Sequence, residues 1–245
     1  MKRVSGVIVG VAVVLLLSQI WSSPSGTHDE TVTILAAASL GPVLEQVERQ
    51  LEAELGDVDI RVVTNGSGAL RSQINHGSPA DIFLAASEED VDKLQVPVLD
   101  RDAFLKNELW FVTPKGKSCT SEWQELELCA RIVIGDPVNV PAGRYAKTAL
   151  DEAEVWGQVK SRIIFAQNVR QVLTLVEQGD ANGGFVYKTE LTEGVAAIQA
   201  VSLEATGIIS YPAVRLTHGP YVRDVYERLF DDDIQAIFLA KGFSK

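Results

Sequence analysis

The chain has 245 residues, 46% of them hydrophobic and 22% charged, with a formal net charge of −11. This balance excludes a disordered chain and supplies enough apolar material for one large core or two modest ones. So acidic a chain is also a poor partner for nucleic acid or an anionic membrane surface, both of which call for basic patches.

Met1-Lys2-Arg3 is a basic start, followed by an apolar run from Val4 to Leu17 broken only by Ser5, Gly6 and Gly10, and then by Ser22-Ser23-Pro24-Ser25-Gly26. That order predicts a signal peptide over residues 1–25, cleaved near Ser25. An uncleaved anchor is the alternative, because the run is nearly long enough to span a bilayer. No cysteine ends the run, so the expected product is free and soluble outside the cytoplasm rather than lipid-anchored. Cleavage would remove the cations Lys2 and Arg3 and no acid, taking the charge from −11 to −13.

Thr31 to Ala38 reads as a strand, and Leu40, Val43, Leu44, Val47, Leu51 and Leu55 then repeat at helical spacing up to Gly56. Ser39 falls at the junction, where it either caps the helix or points its hydroxyl at something above the helix start. Asp59 to Val63 is a second strand, followed by the turn Thr64-Asn65-Gly66-Ser67-Gly68 and a helical stretch to Ile74. Ala80 to Ala86 predicts a third strand, Glu88 to Leu94 a short helix with an exposed acidic face, and Leu109 to Thr113 a fourth strand. Such alternation predicts a doubly wound α/β architecture.

Cys119 and Cys129 are the only cysteines and flank Trp123. In an exported chain a disulfide is the leading reading, with two inert buried thiols as the alternative. Zinc is disfavoured, since a metal wants about four ligands and no histidine lies nearby.

Arg131 to Ile134 is a short β-branched strand ended by the turn residues Gly135-Asp136-Pro137, and Pro141 then suits the first turn of a helix continued by Ala142, Tyr145, Ala146 and Ala149. Small residues at Ala142 and Gly143 allow close approach to the free N–H groups of that helix start, the ingredients of an anion cradle. Taken alone, the stretch reads as readily as an ordinary strand-to-helix crossover. Arg162 to Phe165 is a further strand, and Asn168 is placed to cap a helix of Val169, Val172, Leu173 and Val176 that ends at Gly179. Gly183 to Tyr187 and Val195 to Val201 predict two more strands, Tyr187 being open to an ordinary packing role. Ile208 to Leu216 reads as a long extended segment, and the C-terminus as two helices with apolar stripes for core packing.

The sequence contains no phosphate-binding G-x-x-x-x-G-K-[ST], no H-E-x-x-H and no G-x-S-x-G around Ser39 or Ser67. His28, His76 and His218 are scattered, which leaves a secreted serine hydrolase built on Ser39 or Ser67 as a minor alternative.

Four stretches together resemble the periplasmic molybdate-binding proteins of ABC importers. They are Ala36-Ala37-Ala38-Ser39-Leu40, Pro79-Ala80-Asp81-Ile82-Phe83, the G-D-P-x-x-x-P-A-G-x-Y-A run from Gly135 to Ala146, and Asn168-Val169-Arg170 with Gly184-Phe185-Val186-Tyr187. The resemblance implies a type II periplasmic binding protein fold, two α/β lobes that are each a doubly wound, mainly parallel sheet flanked by helices, with the ligand in the cleft. Lobe one would span residues 31–113 plus 210–245, and lobe two residues 114–209. The implied oxyanion ligands are the hydroxyl and N–H groups of Ser39 and Ser67, the N–H groups of Ala142 and Val169, and the hydroxyl of Tyr187. Members often carry two serines in the first-lobe turn, and here Gly66 stands in the place of one. The family likeness implies a non-enzymatic, monomeric receptor without cofactor. It would capture molybdate, and tungstate too, in the periplasm and pass it to a membrane permease. A receptor for another tetrahedral oxyanion such as sulfate is the nearer alternative.

Overall fold

In a computed structural model of the chain, residues 30–245 are described; the signal peptide expected over residues 1–25 lies outside them. In chain order the strands are β1 (Glu30–Ala37), β2 (Val58–Asn65), β3 (Ile82–Leu84), β4 (Asp100–Asn107), β5 (Leu109–Pro114), β6 (Ile132–Gly135), β7 (Ile163–Ala166), β8 (Gly183–Tyr187), β9 (Val195–Ala200) and β10 (Ile209–Arg215). They form two five-stranded sheets, β2-β1-β3-β10-β4 in lobe one and β7-β6-β8-β5-β9 in lobe two. In each, three strands pair in parallel, and the strand that has just crossed from the other lobe, β10 or β5, runs antiparallel to its neighbours. With helices flanking the sheets, this is the two-lobed type II fold that the resemblance implies.

The elements follow from local pattern. Helix Gly41–Leu55 buries Val43, Leu44, Val47 and Leu51 on one stripe and stops at Gly56, whose φ of 82° suits glycine. Helix Val169–Glu177 buries Val169, Val172, Leu173 and Val176, and the Asn168 side chain accepts the Gln171 N–H at 3.0 Å as its cap. At the lobe-one edge, Phe104 of β4 meets Phe230 and Phe238 with ring centroids 5.5 and 5.0 Å apart, fastening the C-terminal helices Val222–Arg228 and Asp232–Ala240 to that sheet.

Sheet pairing corrects the expected lobe boundary. The Leu109 to Thr113 stretch, expected in lobe one, belongs to lobe two, where β5 pairs with β8 and β9. The chain therefore crosses between Asn107 and Leu109, not at residues 113–114, and returns ahead of Ile209. The strand missing from the sequence reading is β4. Asp100, Arg101 and Asp102 make it look like a charged loop, but it is a sheet edge, where charge on the outer face is the rule. Cys119 and Cys129 are joined in a disulfide with Cα atoms 5.3 Å apart, closing the loop between β5 and β6 around the buried Trp123. A loop of that length stabilises by about 2–3 kcal/mol in the chain-entropy account.

Candidate functional site

Ser39, Ser67, Ala142, Val169 and Tyr187 all line one cavity between the two sheets, together with Ala37, Ala38, Asn65, Gly66, Ala86, Val140 and Pro141. Each stands where a parallel strand gives way to the next element. Ser39 lies in the turn Ala38–Leu40 after β1, Ser67 opens helix Ser67–Asn75 after β2, and Ala142 is the second residue of helix Pro141–Glu152 after β6. Val169 opens its helix after β7, and Tyr187 ends β8. The carboxyl ends of parallel strands are where such sheets hold ligands, and the helix starts turn unpaired N–H groups toward the same point. The cavity volume is about 10 Å³, room for about one water molecule.

The hydrogen-bond state of these donors differs by lobe. Ser67 Oγ accepts the Ala86 N–H at 3.0 Å, which leaves its own proton free, and Ser39 Oγ lies 2.9 Å from the Tyr211 hydroxyl. By contrast, the Tyr187 hydroxyl has no hydrogen-bond partner among the described residues although Tyr187 is 1% exposed. Burial pushes its pKa well above the ordinary tyrosine value, so it stays a neutral O–H donor. The Ala142 and Val169 N–H groups donate to no carbonyl among the described residues. Among the described residues, no Asp, Glu, His, Lys or Arg lines the cavity. Among the described residues neither serine is hydrogen-bonded to a base, so these residues supply no general base for the serine hydrolase alternative.

The glycine at position 66 has a structural reason. Its φ of −61° and ψ of 135° would suit any residue, but a Cβ there would lie 2.7 Å from the Asn139 carbonyl oxygen and 3.1 Å from that of Gln167, both across the cleft. The neighbouring Gly68 N–H donates to the same Asn139 carbonyl at 3.0 Å. Backbone of lobe one thus rests directly on backbone of lobe two.

A polar contact across the cleft escaped the sequence reading. Arg144 of helix Pro141–Glu152 reaches into lobe one, where it pairs with Asp90, approaches Glu89 at 3.1 Å and donates to Ser87 Oγ at 2.9 Å. Asp90 is 1% exposed, held also by the Ser87 hydroxyl at 2.8 Å and Arg71 at 3.4 Å. The acidic helix expected to be exposed therefore buries one of its acids as the receptor of an arginine from the other lobe. Beside it the Tyr145 hydroxyl donates to the Ala86 carbonyl at 3.4 Å, and burial raises its pKa to about 12.

A family model described as bacterial extracellular solute-binding protein matches residues 32–244. The chain belongs to that family. It is 33% identical to a candidate ABC transporter substrate-binding lipoprotein of Bacillus subtilis (strain 168), over 99% of this chain and 98% of that one. It is 31% identical to the molybdate-binding protein ModA of Escherichia coli (strain K12), over 87% of this chain and 88% of the relative. Among solved structures, the periplasmic molybdate-binding protein of Azotobacter vinelandii superposes with a TM-score of 0.76 at 18% identity, covering 87% of this chain and 99% of that one. Membership makes this an extracytoplasmic solute-binding protein and not an enzyme, and the resemblance read from the four sequence stretches holds over nearly the whole described chain.

Proposed function

We propose that the solute is molybdate, with tungstate accepted as well, and that the protein carries it as a monomer in the periplasm to the permease of an ABC importer. The observation that carries this reading is the convergence of Ser39, Ser67, Ala142, Val169 and Tyr187 on one small cavity lined, among the described residues, by no charged side chain. Hydroxyl and N–H donors suit a ligand made of acceptors, and an anion needs no lysine or arginine where helix starts and oriented dipoles converge on it. The E. coli relative, 31% identical to this chain over 228 residues, is named for molybdate.

Selectivity follows from the same donors. An anion that keeps a proton near neutral pH needs an acceptor, and the cavity offers no carboxylate for it. Phosphate is therefore disfavoured. Sulfate is fully deprotonated, so its exclusion rests on size: a smaller anion leaves some donors beyond bonding reach, at a cost of about 1.5–3 kcal/mol for each lost bond to charge. Calorimetric titration of the purified protein with molybdate, tungstate, sulfate and phosphate tests the reading. Tight binding of the first two with sulfate and phosphate at least about a hundredfold weaker supports it, two lost bonds being worth that much or more. Sulfate or phosphate binding as tightly as molybdate overturns it.

A further inference from the structure

We propose that Tyr211 and Asn107 are positioning residues for the anion site: a hydrogen-bond relay running from the crossing between the lobes fixes Ser39 as a donor into the cavity. The inference rests on the oxyanion reading above and deepens it. Neither residue lines the cavity, and both are buried, Tyr211 at 0% and Asn107 at 6% exposure.

The direction of the relay follows from its geometry. Asn107 closes β4 immediately before the chain crosses to lobe two, and its Oδ1 accepts the Glu108 N–H at 2.9 Å. That bond assigns the other end of the amide as the donor, and its NH₂ group reaches Thr189 Oγ1 at 3.0 Å in lobe two and the Tyr211 hydroxyl oxygen at 3.3 Å in lobe one. Tyr211 is held in its protonated form, because burial drives its pKa far above the ordinary value, outweighing the lowering by its bonds to Ser39 and Asn107. Its oxygen accepts from Asn107, and Ser39 Oγ, at 2.9 Å, is the nearer of the two hydroxyls its single proton can reach, the other being that of Tyr187. Tyr211 therefore donates and Ser39 accepts. The Ser39 proton is left to point into the cavity, the state in which the Ala86 N–H also leaves Ser67.

This has a consequence for selectivity. With a lone pair of each serine occupied by a protein donor, both hydroxyls meet an anion as donors, and the O–H of a protonated anion finds a poor acceptor in either. Removing the Tyr211 hydroxyl frees Ser39 to rotate and to accept. Loss of that hydroxyl should weaken molybdate more than it weakens hydrogen phosphate.

The test is a double-mutant cycle read by calorimetric titration with molybdate and with inorganic phosphate. Wild-type protein that binds no molybdate would sink the parent reading and not this one. Given a wild type that binds, Tyr211→Phe is expected to weaken molybdate about tenfold and to narrow the gap between molybdate and phosphate. In a Ser39→Ala background, Tyr211→Phe should cost less than about twofold more, because its effect passes through Ser39. Asn107→Asp, which turns the donor facing Tyr211 into an acceptor and draws the tyrosine proton away, should behave the same way. The relay is overturned by an unchanged molybdate constant in Tyr211→Phe, or by the same loss with and without Ser39, which is what a merely structural role would give.

Discussion

The two lobes share one plan and use it differently. In β2-β1-β3-β10-β4 and β7-β6-β8-β5-β9 alike, the second, first and third of the lobe's parallel strands are followed by the strand that has just crossed and then by the one from which the chain leaves the lobe. The donors follow the same strands in both, Ser39 and Ser67 after β1 and β2, Ala142 and Val169 after β6 and β7. Both lobes present free N–H groups at their helix starts, but the hydroxyls of lobe one are already engaged by Tyr211 and Ala86, whereas the Tyr187 hydroxyl of lobe two has no partner among the described residues. The hydroxyls of lobe one are thus organised before any ligand arrives. In the open state the donors of lobe two can bond to water; closure takes that water away and leaves them costly unless a ligand that accepts hydrogen bonds replaces it. A closed state conditional on ligand is what a receptor needs if closure is to be its signal.

The largest break in this arrangement should come from Gly66, where the lobes meet backbone to backbone. Gly66→Val keeps an ordinary backbone conformation, so ligand-free lobe one should fold as before, but its Cβ would meet Asn139 and Gln167 across the cleft. Overpacking of this kind costs about 1–3 kcal/mol, and with two branches beyond the Cβ we expect the upper end, a loss of molybdate affinity of about a hundredfold. Titration together with ligand-free melting checks it. A variant that binds normally would mean the cleft does not close on this contact.

A second comparison sets Ser67 against Tyr187. Either Ser67→Ala or Tyr187→Phe should weaken binding by about 1.5–3 kcal/mol, the worth of a hydrogen bond to charge. Their effects on the ligand-free protein should differ. Ser67→Ala strips the buried Ala86 N–H of its acceptor and should lower stability by about 1–3 kcal/mol, while Tyr187→Phe removes a hydroxyl that has no partner and should leave the melting temperature unchanged or raised. Equal destabilisation by the two would erase the distinction drawn between the lobes.

Much of this plan is local and therefore legible in the chain. Each donor sits at a strand-to-helix junction marked by its own residues: Pro141 at a helix start, Asn168 as a cap, small residues around Ser39 and Ser67. What stayed hidden depends on contacts distant in sequence. Leu109 to Thr113 reads as a strand, but its lobe is decided by pairing with Tyr187 and Val195, about 80 residues further on. Asp90 sits in a run of acids that looks solvated until Arg144 arrives from the other lobe, and the reason for Gly66 lies in the carbonyls of Asn139 and Gln167. Tyr211, read as part of an extended segment, gave no sign of its bonds to Ser39 and Asn107.

The contact of Arg144 with Asp90 and Glu89 sharpens the comparison at a smaller scale, because it joins the lobes without lining the cavity. Arg144→Ala should weaken molybdate by about fivefold, around 1 kcal/mol, since the arginine is only partly buried and Asp90 keeps Ser87 and Arg71. The wild-type affinity should fall with added salt, and that dependence should flatten in the variant. Identical salt dependence in the two proteins would separate the pair from closure.

The smallest expected effect concerns an acid behind the site in lobe two, the counterpart in burial of Asp90. Glu190, 2% exposed, has one oxygen 3.4 Å from Arg170 and the other without a partner among the described residues. Burial raises its pKa from 4.5 to about 7, against the lowering by Arg170 and Lys241, and Glu177 adds to the rise. A carboxyl that holds its proton more tightly when folded than when unfolded favours the folded state below the unfolded value, and that advantage is lost as pH rises from about 4.5 through 7. At pH 8 the wild type carries the full cost of a buried carboxylate, up to about 3 kcal/mol, of which relaxation around Arg170 should remove part. Glu190→Gln should therefore melt higher than wild type at pH 8, by about 2–6 °C for a domain of this size, with the gap closing near pH 5. Because Glu190 lies outside the cavity, molybdate affinity at pH 8 should change by less than about twofold, well under the tenfold that 1.4 kcal/mol represents. A melting difference that is constant from pH 5 to pH 8 would show that Glu190 does not titrate in this range, and a large loss of affinity would mean that the acid acts on the site through Arg170 and the neighbouring Val169.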